Sequence, residues 1–98
     1  MYKVITVVTP KNGMAREAMA IAKAIVEHFN SKYSLKYEAY MQIFGSTGTI
    51  YVVGEYKDMA SLQEAGAKFM ADEQYWALAK KGAELTMGAP TMTLLQSI

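Results

Sequence analysis

The chain has 98 residues, 52% of them hydrophobic, and its ten lysines and arginines nearly balance nine aspartates and glutamates, leaving a net charge of +1. That is the length of one domain, 1–98, with too much apolar surface for a disordered chain and too little excess charge to hold nucleic acid or an acidic membrane. No cysteine is present, which excludes disulfides, thiolate metal sites and thiol nucleophiles and favours a cytoplasmic location.

The opening Met1-Tyr2-Lys3 and the short apolar run behind it are too brief for a signal peptide. Lys3 to Thr9 is rich in valine and threonine and stops at Pro10, which predicts the first strand. After the turn Lys11-Asn12-Gly13, with Thr9 or Asn12 as candidate starts, Met14 to Asn30 carries Ala18, Ile21, Ala22, Ile25, Val26 and Phe29 at helical spacing. Asn30-Ser31 is the expected stop. Leu35 to Phe44 alternates and predicts a second strand; Gly45-Ser46-Thr47-Gly48 is a hairpin loop, and Thr49 to Tyr56 the returning strand. The uncharged stretch from Ala39 to Gly54 is too short and too polar for a membrane span.

Asp58 is an N-cap for a helix carrying Leu62, Ala65 and Phe69 on one stripe and an exposed Glu64–Lys68 pair. Asp72 caps a further helix whose stripe holds Trp76, Ala79 and Ala83, and Gly88 and Pro90 are expected to end it. Thr91 to Ile98 then alternates as the last strand. The order β-α-β-β-α-α-β suits an α+β, ferredoxin-like domain, a four-stranded antiparallel sheet with helices on one face.

The helices can cover only one face of such a sheet. The other receives Tyr40, Phe44, Tyr51, Val53 and Leu95 along with the apolar first strand. A patch of that kind marks an interface, and a two-fold pairing of sheets would bury it, so a homodimer is expected.

The element order, the glycine turn after the first strand, and the run Gly54-Glu55-Tyr56-Lys57-Asp58 through Phe69-Met70-Ala71-Asp72-Glu73-Gln74-Tyr75-Trp76 resemble the dimeric α+β barrel superfamily. That group includes the antibiotic-biosynthesis-type monooxygenases, the haem-degrading enzymes of the IsdG type and the NIPSNAP-like proteins. The resemblance implies a homodimer whose sheets form a barrel, with a small molecule held between sheet and helices. It also implies a histidine iron ligand in the second half of haem-degrading chains. This chain has none after His28, so neither haem nor any other cofactor is expected.

Taking Leu35, Ile50 and Leu94 as facing the helices, Glu38, Tyr40, Gln42, Tyr51, Glu55, Thr91 and Thr93 share the opposite face. A few polar groups among aromatics describe a ligand site. Glu55 is a candidate base, Tyr51 and Tyr40 are candidate donors to a developing oxyanion, and Gln42 and Thr93 are candidate ligand contacts. The plain alternative is hydrogen-bonded cross-strand pairing. His28, the single histidine, is a candidate third catalytic group on the first helix, or a structural side chain near a helix C-terminus. Trp76 lines a pocket mouth or packs in the core. No metal site is expected from one histidine and scattered acids. Three functions follow: a homodimeric binder of a hydrophobic small molecule in a mainly apolar cavity, a cofactor-free monooxygenase or isomerase on the same scaffold, or an assembly module without a pocket.

Overall fold

The computed structural model describes residues 1–98, in the order β1 (Tyr2–Pro10), α1 (Ala15–Tyr33), β2 (Lys36–Met41), β3 (Ile50–Tyr56), α2 (Met59–Met70), α3 (Glu73–Leu85) and β4 (Thr86–Gln96). The sheet has the order β2-β3-β1-β4, with every neighbouring pair antiparallel. The β-branched strand β1 lies at its centre, where cross-strand packing suits valine, isoleucine and threonine. Val4 sits opposite both Gly54 and Leu94, and Tyr2 opposite Tyr56 and Gln96. This register turns Tyr37, Ile50, Val52, Tyr56, Val4 and Leu94 towards the helices and Lys36, Glu38, Tyr40, Tyr51, Glu55 and Thr93 away from them. The division of faces expected from alternation is therefore present.

Several boundaries differ from expectation for identifiable reasons. Asn30 and Ser31 do not stop α1. The helix continues to Tyr33 and ends on Ser34 in the left-handed conformation. The Asn30 amide instead brackets the backbone of Tyr37, its Nδ2 donating to the carbonyl at 2.9 Å and its Oδ1 accepting from the N–H at 2.8 Å. It pins the start of β2 to the helix that precedes it. Neither Thr9 nor Asn12 caps α1, which begins at Ala15 behind Met14 with no side-chain cap. Phe44 belongs to the loop after β2, where it is exposed, and does not lie on the sheet.

Gly88 and Pro90 do not separate α3 from a later strand. β4 starts directly at Thr86 and takes both residues in. Thr9 pairs with Met87 and Val7 with Thr91, so β4 bulges at this point, with Gly88 at φ +65°. A bulge is where a strand tolerates proline, which has no N–H for the ladder, and glycine, which adopts positive φ without strain. Both aspartate caps form as expected: Asp58 accepts from the Ser61 N–H at 2.7 Å and Asp72 from the Tyr75 N–H at 3.1 Å.

The core has two parts. Towards the C-terminal end of α1, Phe29 stacks on Phe69 with ring centroids 4.0 Å apart, and Tyr37 and Tyr75 close around the pair at 5.1 and 5.2 Å from Phe29. Towards its N-terminal end, Ala18 and Ala22 pack on Ile50, with Val8, Val52 and Leu85 at the edges.

Candidate functional site

The small side chains of that second part leave a space between the sheet and the helices. It has a volume of about 440 Å³ and runs under α1 and α3, past Ala22, Ala79 and Gly82, to the bulge of β4. No Asp, Glu, Lys, Arg or His lines it. Trp76 stands at its border, half-exposed, with its indole N–H donating to the Met70 carbonyl at 3.1 Å. A second apolar recess of about 350 Å³ lies between α2 and the β1–β4 side of the sheet, and it too lacks a charged lining residue. Val4, Tyr37, Phe69 and Met92 border both. Volumes of this size fall within the range of small-molecule pockets.

One polar feature lies within the second recess. The hydroxyls of Tyr37 and Tyr56 are 2.6 Å apart, and both residues are buried. Tyr37 reaches this position because it stands opposite Gly54. A Cβ at residue 54 would overlap the Tyr37 ring carbon that bears its hydroxyl. Burial pushes the pKa of Tyr37 far above that of an ordinary phenol, and its bond to Tyr56 adds to the shift. Burial also raises Tyr56, opposed by the hydrogen bond from Tyr37. Both hydroxyls therefore keep their protons at neutral pH. These two residues were not apparent as site candidates. A glycine within a strand, facing a tyrosine, was the available signal, since it marks a close approach across the sheet.

The candidates on the far face form polar pairs. Tyr40 donates to Glu38, which raises the phenol's pKa; Tyr51 donates to the Gln42 side-chain oxygen at 2.7 Å; and Lys3 faces Glu55 at 3.7 Å. Glu38, Tyr40 and Glu55 border one shallow depression, from which Tyr51 and Gln42 are absent. Thr93 borders the apolar recess beside Met92 and Leu94. None of Tyr40, Gln42, Tyr51 and Glu55 touches the space between sheet and helices, whereas Trp76 does.

His28 lies elsewhere again, on α1 in the helical layer. Its Nε2 is 2.6 Å from Asp72 Oδ2, and the Tyr33 hydroxyl donates to that same oxygen at 2.6 Å. The carboxylate also caps α3, so one buried side chain ties the start of α3 to the end of α1. Hydrogen bonds from Tyr33 and then His28 hold Asp72 well below the usual carboxylate range, although burial opposes them. The reciprocal bond pushes Tyr33 up to about 12. The fold thus keeps His28 away from Glu55 and Tyr51, with the sheet between them.

No protein-family model and no curated protein sequence matches the chain. Solved structures do. An uncharacterised NIPSNAP domain protein from Burkholderia xenovorans superposes with a TM-score of 0.82 at 14% identity, over 100% of this chain and 95% of its own. A protein described as an antibiotic biosynthesis monooxygenase does so with a TM-score of 0.77 at 19% identity, over 100% and 99%. A NIPSNAP family protein from Agrobacterium tumefaciens gives 0.77 at 13%, over 99% and 92%. The chain has the ferredoxin-like α+β fold that NIPSNAP and antibiotic-biosynthesis-monooxygenase proteins share, as the run from Gly54 to Trp76 suggests.

Proposed function

We propose that the chain is a homodimeric protein that binds a neutral, hydrophobic small molecule in the apolar space between its sheet and helices. The observation that carries this reading is the space itself, of about 440 Å³, bordered by Trp76 and lined by no charged side chain. A ligand there could bury most of its surface without desolvating a charge. The dimer rests on the face of the sheet that no helix covers. Ile5, Val7, Tyr51 and Val53 are only half-buried there, beside Leu95, which is 49% exposed. A second copy would cover these residues and supply the burial that a domain this small lacks. A cytoplasmic setting fits a chain without cysteine. No helix is long and apolar enough to cross a membrane.

A second reading, a cofactor-free monooxygenase or isomerase, is favoured by the polar pairs on the uncovered face. A partner sheet would enclose Tyr40, Gln42, Tyr51 and Glu55 among apolar groups, where Glu55 could act as a base. His28, tied to Asp72, would support the helical layer in that scheme rather than reach the substrate.

Native mass spectrometry of freshly purified protein tests both readings. A dimer carrying a small neutral mass supports binding, and recovery of that molecule chemically unchanged after incubation in air counts against turnover. A monomer at micromolar concentration overturns the dimer.

A further inference from the structure

Two hydroxyls bonded to each other carry two protons, and only one of these lies between the oxygens. Tyr37 and Tyr56 form such a pair, at 2.6 Å, and neither hydroxyl has another partner in the chain. Tyr37 is 7% exposed and Tyr56 3%. A donor left unspent at that depth costs its desolvation without return. Phenylalanine at either position would avoid the cost and fill the same volume. Instead the strand opposite gives up a side chain at Gly54 so that the Tyr37 ring can lie across it. Both tyrosines border the recess formed by Val4, Leu62, Phe69 and Leu94, and Tyr37 also lines the larger space beside it.

We propose that the Tyr37–Tyr56 pair is the polar anchor of this apolar space and donates its second hydroxyl proton to a neutral oxygen acceptor, a ketone or ester carbonyl, on an otherwise hydrophobic ligand. The inference rests on the reading of the space as a ligand site. Burial keeps both phenols protonated, so they meet the ligand as donors. A carboxylate or phosphate is disfavoured, because no cation lines either part of the space to offset its desolvation. The pair binds and orients, and no bond is made or broken by it.

The test uses 9-fluorenone and fluorene, rigid tricyclic molecules of nearly the same shape, of which only the first has a carbonyl. Equilibrium dialysis against the wild-type protein should show fluorenone binding roughly five- to tenfold more tightly, the ratio that one net hydrogen bond supplies. The double variant Tyr37→Phe with Tyr56→Phe should bring the two affinities together by weakening fluorenone alone. The single variants are less informative, since each leaves one hydroxyl whose proton is free. Infrared spectra of fluorenone bound to the wild type need no variant: its carbonyl stretch should move down from its position in an alkane. Equal affinities with an unshifted stretch would show the proton spent on solvent, overturning the anchor but leaving the apolar site. Failure of both probes to bind would overturn the anchor and the binding function together.

Discussion

The two halves of α1 use the same geometry to opposite ends. Its C-terminal half presents Phe29, which Phe69, Tyr37 and Tyr75 surround with rings at 4.0 to 5.2 Å, so that the space only borders this cluster. Its N-terminal half presents Ala18 and Ala22 over the same sheet, and α3 faces them with Ala79, Gly82 and Ala83. Side-chain size alone separates a packed core from an open space along one continuous helix. The aromatic half fixes where α1 lies, and the small half, held at that height, cannot collapse onto the sheet. A space of this kind persists because its neighbours are rigid, in keeping with the close packing of protein interiors.

Removing the support should have the largest effect. Phe29→Ala deletes the ring at the centre of the stack and should cost about 3–5 kcal/mol, seen as a lower midpoint in urea denaturation, with fluorene binding lost as α1 settles. If binding survives that loss of stability, the aromatic half does not hold the space open.

The tie at Asp72 comes next, and it acts through pH. The native carboxylate is more acidic than in the unfolded chain. It therefore contributes stability that is present above the ordinary aspartate pKa of about 3.9 and lost as pH falls below it. Tyr33, raised to about 12, contributes stability that is present below about 10 and lost between there and its native value. Asp72→Asn keeps a capping side chain but should flatten both limbs of melting temperature against pH, the acid one below about 3.9 and the alkaline one above about 10, because neither shift survives the loss of the carboxylate. An unchanged acid limb would mean that Asp72 does not couple α1 to α3.

Filling the small half should change stability least. Ala79→Leu places a larger side chain in the space and should shift stability by no more than about 1 kcal/mol, while fluorene binding in dialysis disappears. A cost as large as that of Phe29→Ala would show that the small half is already packed.

Alternation and helical spacing in the sequence were enough to find every strand and helix in order, though not all of their ends, and to divide the sheet into its two faces, because each depends on residues close together in the chain. Glu38, Tyr40, Tyr51 and Glu55 fall together on one face for that reason. What was hidden depends on distance or on compensation. His28 and Asp72 are 44 residues apart and meet only after α1 and α3 dock. Gly88 and Pro90 read as a stop, yet the β4 bulge absorbs both. Asn30 reads as a helix end because asparagine often is one, whereas its amide is engaged by the backbone of β2. Tyr37 and Tyr56 look like ordinary apolar-face residues until the register shows Gly54 lying between them on that face.

The register of β1 has a kinetic consequence. The central strand pairs with β3 on one side and with β4 on the other, and the second ladder joins Tyr2 to Gln96. Even at its nearer end, where Pro10 meets Thr86, everything from α1 to α3 must be looped before that ladder can begin to zip, and the entropy of closing the loop is lost before any of its contacts are gained. Single helices such as α2 and α3 can form within microseconds, but the sheet has to wait for its most distant partners. Refolding should therefore be slower than for a helical bundle of equal size, and the interval during which β1 is paired on one side only is when the chain is most exposed to pairing with the wrong neighbour.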